Sequence, residues 1–186
     1  GLNVSALMPT ADGKNSFVTT ATSGAGASNV GVAGALAANV LVNTTVATVE
    51  GNKDGIGSGA VVNANGGDIL VESANTSESK VTSGASVKPA SGTDPAAVGV
   101  GASVGMNVGV NTTVAEIGNG AGISNAKDLG LKAKATHTLE NAVTGGAAGA
   151  DVSVTPVAAI TVAANTTTAR LGTGGLDRGQ PVAQHG

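Results

Sequence analysis

The residues of this 186-residue chain with any capacity for chemistry are two histidines, a thin scatter of carboxylates and a recurring Asn-Thr-Thr. His137 and His185 lie far apart in sequence, so no Ser/His/Asp arrangement for nucleophilic catalysis can be built from them. Glu50, Asp54, Glu72, Glu78, Glu116 and Glu140 are spread over turns and outward strand positions, and neither Trp nor Tyr is present as a platform for a sugar ring. A polysaccharide-processing enzyme is therefore the second expectation, to be promoted by an acidic groove on one face. Gly66-Gly67-Asp68 echoes the calcium-binding nonapeptide once, and Asp12-Gly13-Lys14-Asn15 and Asn52-Lys53-Asp54-Gly55 read as turns. Gly-rich text at 99–105 and 118–122 lacks the strand-to-helix setting of a phosphate loop. No enzyme activity, metal or cofactor is expected.

The Asn-Thr-Thr segments are the organising feature. Asn43-Thr44-Thr45-Val46-Ala47-Thr48-Val49 returns as Asn111-Thr112-Thr113-Val114-Ala115-Glu116-Ile117 and as Asn165-Thr166-Thr167-Thr168-Ala169-Arg170-Leu171. The fifth position is always Ala and the seventh always aliphatic, while the sixth is Thr, Glu, then Arg. That alternation is the period of a half-buried strand with the sixth residue in water. Asn43, Asn111 and Asn165 are expected at bends, pointing inward and bonding along the stack. Asn3, Asn43, Asn75, Asn111 and Asn165 also satisfy the N-glycosylation rule, a subordinate expectation. The paired threonines suggest an ice-binding ladder, but they recur once per long repeat and not once per coil.

The elements that would position these residues repeat with them. Leu2–Ala6 corresponds to Ile69–Ser73 and Leu129–Ala133, and Phe17–Thr20 to 80–83 and 142–145. The segment 30–42 aligns without a gap on 98–110 and 152–164, and 60–63 on 121–124. Within it Val30, Val32, Leu36, Val40 and Val42 are expected to line the core, leaving a small outward face of Gly31, Ala33, Ala35, Ala37, Gly99, Gly101, Ser103 and Gly105. That face is the expected self-association surface, since an exposed strand normally carries larger polar residues.

The copies are 68 and 54 residues apart, counted from Asn43, Asn111 and Asn165. At about 20 residues per coil the chain would hold about eight or nine coils, and at roughly 4.8 Å per coil a rod on the order of 40 Å long. Short bends between parallel strands require coiling, so the predicted fold is an all-β parallel β-helix over residues 1–175. Residues 176–186 are expected to form a cap remnant, linker or frayed tail.

Composition agrees with a thin core. Phe17 is the single aromatic, Gly numbers 30, and small aliphatics must close-pack without large side chains. Net charge is −3 with no run of either sign, which gives no nucleic-acid stripe and no basic membrane patch. The apolar run 96–110 is too short and too Gly-rich for a spanning helix, so no membrane insertion is expected. The absence of Cys excludes disulfides and fits an exported bacterial protein. Gly1 opens inside an expected strand, as in a piece cut from a longer protein or a processed form.

Val98-Gly-Val-Gly-Ala-Ser-Val-Gly-Met-Asn-Val108, followed by Asn111-Thr-Thr-Val-Ala-Glu-Ile-Gly-Asn-Gly120 and a Gly-Asp or Lys-Asp bend, resembles the repeats of very large secreted bacterial surface proteins. These are the filamentous adhesins that include fusobacterial leukotoxin, and the resemblance runs to about Gly174. It implies a right-handed parallel β-helix, location at the bacterial cell surface or in the medium, and roles in adhesion, filament structure or host-cell contact. Expected partners are further copies, end to end or laterally, neighbouring domains of a longer chain, and a host-surface receptor. No catalytic residue carries over. Pro156 and the loop insertions depart from the pattern, and a bulge or local exit is expected there.

Overall fold

The computed structural model describes residues 1–8, 13–52, 59–89 and 96–173, with the backbone of Leu176–Asp177. The expected loops within 53–58 and 90–95, and the tail from 178, lie outside the described residues.

Alternation over long Val, Thr and Ala stretches yields strands and, among the described residues, no helix. They are β1 (Leu2–Leu7), β2 (Asn15–Ala27), β3 (Val30–Val49), β4 (Val61–Asn63), β5 (Ile69–Pro89) and β6 (Ala96–Ile117). There follow β7 (Gly122–Ser124), β8 (Leu129–Gly146), β9 (Gly149–Val154), β10 (Val157–Leu171) and β11 (Leu176–Asp177). All pairing is parallel and falls into three sheets. In sheet A, β5 is flanked by β8 on one side and by β1 and β2 in succession on the other. In sheet B, β6 lies between β3 and the β9–β10 pair. Sheet C stacks the short β4, β7 and β11. The chain thus visits A, B and C three times in the same order.

The registers match the aligned repeats at most points. Leu2 pairs with Ile69 and Ile69 with Leu129; Val30 pairs with Val98 and Val98 with Val152. Asn43, Asn111 and Asn165 form one rung, and Val62 pairs with Ile123. The segment around Phe17 is displaced from expectation, because Val18 and not Phe17 pairs with Lys80, and Glu140 and not Ala142 follows it. Pro156 falls between β9 and β10 and interrupts the strand, as expected of a residue that cannot donate to a ladder, but without the expected bulge. Val154 pairs with Val100 and Val157 with Ser103 in one register, and the ladder shifts elsewhere, between Ala96 and Val98.

Two expectations are overturned. Hydrogen-bonded neighbours lie a whole long repeat apart, as Val30 and Val98 or Ser103 and Val157 do, so each repeat adds one layer. There are three layers, not eight or nine coils, and the stack is about 14 Å high instead of 40 Å, with strands such as β6 running about 70 Å. The physical reason is strand length: 18 to 22 residues in β5, β6 and β8 consume a repeat that short strands would divide among several turns.

The second correction concerns parity. Odd positions of β3 and β6 point inward: Ala37 is 1% exposed, Gly31, Ala33, Gly99, Gly101, Ser103 and Gly105 are buried, and Ala35 is half-buried. Val30, Val32, Val40, Val42 and Leu36, at 69% exposure, point out. Sheets A and B face each other, and along 31–37 and 99–105 the gap admits only small side chains on the sheet B side, Leu41 being the larger one farther along. A Cβ on Gly101 would collide with the Gly146 carbonyl oxygen, and one on Gly105 would lie 2.6 Å from Val143 Cγ2. The Asn43 rung is not at a bend, because β3 runs unbroken from 30 to 49 and keeps one phase throughout.

Large apolar side chains concentrate where sheet C meets sheets A and B. Ile69, Val71, Ile117, Ile123 and Val49 pack there with Ala47, Ala115 and Ala121. A smaller cluster of Ala33, Ala85 and Val87 fills the opposite end. Corners stack layer on layer: Gly118 N donates to Val49 O at 2.9 Å and Gly172 N to Ile117 O at 2.7 Å. Only glycine fits this column, since a Cβ on Gly118 would sit 2.5 Å from Gly51 N. The turns from sheet C to sheet A use Asn65 and Asn125 at φ of 49° and 52°, the left-handed region that Asn tolerates.

Candidate functional site

Between the two apolar ends much of the interior is polar, interrupted by buried Val81 and Leu41. Burying hydroxyls and amides is costly unless they find partners, and here sheets A and B supply many of them to each other, while Ser103 Oγ, Thr113 Oγ1, Asn75 Oδ1 and Asn141 Oδ1 are buried without one. Asn39 Nδ2 donates to Ser79 Oγ at 2.8 Å, and Ser79 Oγ donates to Asn107 Oδ1 at 2.7 Å. Asn107 Nδ2 donates to the carbonyls of Ser79 and Glu140 at 3.0 and 2.9 Å. Asn141 Nδ2 crosses the other way to the carbonyls of Gly105 and Ile160, and Asn75 Nδ2 reaches Thr45 Oγ1.

The Asn-Thr-Thr column supplies the most regular element. Asn43 Nδ2 donates to Asn111 Oδ1 at 3.2 Å, and Asn111 Nδ2 to Asn165 Oδ1 at 2.8 Å. The inward Asn ladder expected from the repeat is therefore present, with one sense of donation through all three layers. Asn75 and Asn111 are each 1% exposed, so neither amide can carry a glycan in this fold. Thr45 and Thr113 point inward with them, leaving one outer Thr rung, Thr44–Thr112–Thr166, too narrow for a lattice match.

One contact was not legible beforehand. The β5–β8 register sets His137 beside Ser77, with Nδ1 2.7 Å from Ser77 Oγ. Ser77 is 3% exposed and its hydroxyl also lies 3.5 Å from Asn111 Oδ1, which places it in the polar seam and out of reach of a substrate. Burial lowers the His137 pKa, and its Nε2 is buried with no hydrogen-bond partner. Burial thus disfavours the protonated ring.

The carboxylates separate into surface pairs. On the outer face of sheet A, Lys14 bonds Glu78 at 2.7 Å and Lys80 bonds Glu140 at 2.8 Å. The hydrogen bond from Lys14 holds the Glu78 carboxyl below its ordinary range, and the bond to Glu140 holds Lys80 above its own. Where sheet B meets the glycine corner, a shallow cleft of about 390 Å³ is lined by Glu50, Asn52, Glu116, Asn119 and Arg170, and Arg170 is paired with Glu116. Among the described residues no three of His, Cys, Asp and Glu gather to hold a metal, and no helix is long and apolar enough to cross a membrane.

The eight small residues expected as a self-association face are thus interior, and the outer face of sheet B is instead built from the large aliphatics. The signal lay in the Asn43–Val49 column, whose inward Ala47 and Val49 fix the phase of the whole strand.

No protein-family model, no curated protein and no solved structure matches this chain.

Proposed function

We propose that the chain is a structural and adhesive segment of a secreted bacterial surface protein, a three-layer piece of right-handed parallel β-solenoid serving as rigid spacer and interaction surface. The observation that carries this is the polar sense of the Asn ladder. It begins on an Asn43 carbonyl that receives no bond from the ladder and finishes on an Asn165 amide that gives none to it. The outer edges of β3 and β10 flank these two rungs without a strand partner among the described residues. Each end is complementary to the other, so a further layer of the same kind, from a second copy or a neighbouring domain, extends both the ladder and the sheets. The surface location, and adhesion to a host receptor, come from the repeat resemblance.

Negative-stain images at rising concentration are the test: rods or fibres that lengthen are expected, and a strictly monodisperse monomer by sedimentation would count against self-assembly. A polysaccharide-processing activity would rest on the Glu50–Glu116 cleft. Arg170 already engages one of its two carboxylates and no aromatic lines it, so the structural role is preferred. Release of reducing ends from an anionic polysaccharide, lost in Glu50→Gln, would reverse that preference.

A further inference from the structure

The outward faces of sheets A and B differ in chemistry. Sheet A presents Thr and Ser with cross-layer ion pairs, as in the rung Val18–Lys80–Glu140. Sheet B presents aligned aliphatic rungs, one residue per layer, among them Val32–Val100–Val154 and Val40–Val108–Val162. Val40 is 63% exposed, and from the Val30 rung to the Val46 rung the outward positions include no charged residue. A lone exposed valine needs no explanation, but a contiguous sheet of them marks a contact.

We propose that this face is a lateral contact between two copies of the chain, sheet B against sheet B. The face is about 50 Å long and three strands, or about 14 Å, wide, on the order of 700 Å². A stable complex buries about 800 Å² per partner, so this one surface is nearly sufficient by itself. Its occupant must be flat, apolar and uncharged over the same length, and among the described surfaces only the same face of another copy meets that requirement. Two such faces pack about 10 Å apart with strands aligned within about 30°, as an isologous pair. A lipid surface fits less well, because membrane-lying faces carry aromatic anchors and flanking Lys or Arg, and here Arg170, the cation bordering the face among the described residues, is paired with Glu116.

The inference rests on the chain being a self-associating structural module, but it uses a different surface from end-to-end growth. The whole chain would be compared by sedimentation velocity with Leu36→Lys/Val108→Lys on the face and with Ala163→Lys, which sits on the exposed edge strand β10. A lateral dimer is expected in the unmodified chain and in Ala163→Lys, weakened about tenfold or more in the face variant while its β-type circular dichroism is kept. Where the lysine variant fails to fold, Val32→Thr/Leu36→Thr/Val40→Thr retains strand propensity and gives the same readout. Association lost in Ala163→Lys and unchanged in the face variant would overturn the lateral contact while leaving end-to-end assembly intact. A chain monomeric throughout would overturn both. Flotation with neutral phosphatidylcholine vesicles, abolished by the face substitutions, would overturn the lateral contact in favour of lipid.

Discussion

Asn111 occupies the middle of a three-rung ladder, accepting from Asn43 and donating to Asn165 with almost no exposure to water. Asn111→Ala leaves both neighbours short of a partner inside the seam, and chemical denaturation should record a loss of about 1–3 kcal/mol. Asn165→Ala, on the exposed end layer, should cost clearly less. His137 gives a pH-dependent counterpart. Its folded pKa lies below the ordinary 6.5, so the unfolded chain binds the proton more readily. Its contribution to stability is complete above pH 6.5 and is lost as pH falls from there through the lower folded value; His137→Asn should flatten that slope. The ladder was legible because one residue type recurs at one column in all three copies. The His137–Ser77 pair was not, because register over 60 residues joins two residues that resemble each other in no way.

At the scale of elements, alternation announces a strand but leaves two phases, and size does not choose between them. Placing Val and Leu inside and Gly and Ala outside follows bulk hydrophobicity. Here the narrow gap between sheets A and B reverses it, and the apolar core moves to the corner with sheet C. Ala37→Leu should therefore destabilise folding by about 1–3 kcal/mol through overpacking, with Gly105→Leu at least as severe. Val40→Thr, on the outer face, should leave the midpoint of unfolding nearly unchanged. Ile117→Ala, at the buried corner, should cost about 2–5 kcal/mol. The phase was available in β3 itself, since a strand unbroken through Asn43 must keep Ala47 and Val49 on the side of Ala37.

For the whole molecule, repeat boundaries and most registers could be aligned directly from the text, but the number of layers could not. Nothing in a 68-residue spacing distinguishes one long turn from three short ones; only the unbroken length of β3, β5 and β6 does. One repeat per layer also makes the stack uneven. β5 and β6 are covered on both sides, whereas β10 is exposed nearly throughout, so amide exchange should be slowest in the middle layer and fastest in β10. The layer count is tested most directly by spin labels at Thr44→Cys and Thr112→Cys, introduced into a chain that has no cysteine of its own. These outward positions share a rung one strand spacing apart, about 5 Å, and their spectra should collapse by spin exchange. Dipolar broadening without exchange collapse, as three coils per repeat and a separation of about 14 Å would require, would contradict it.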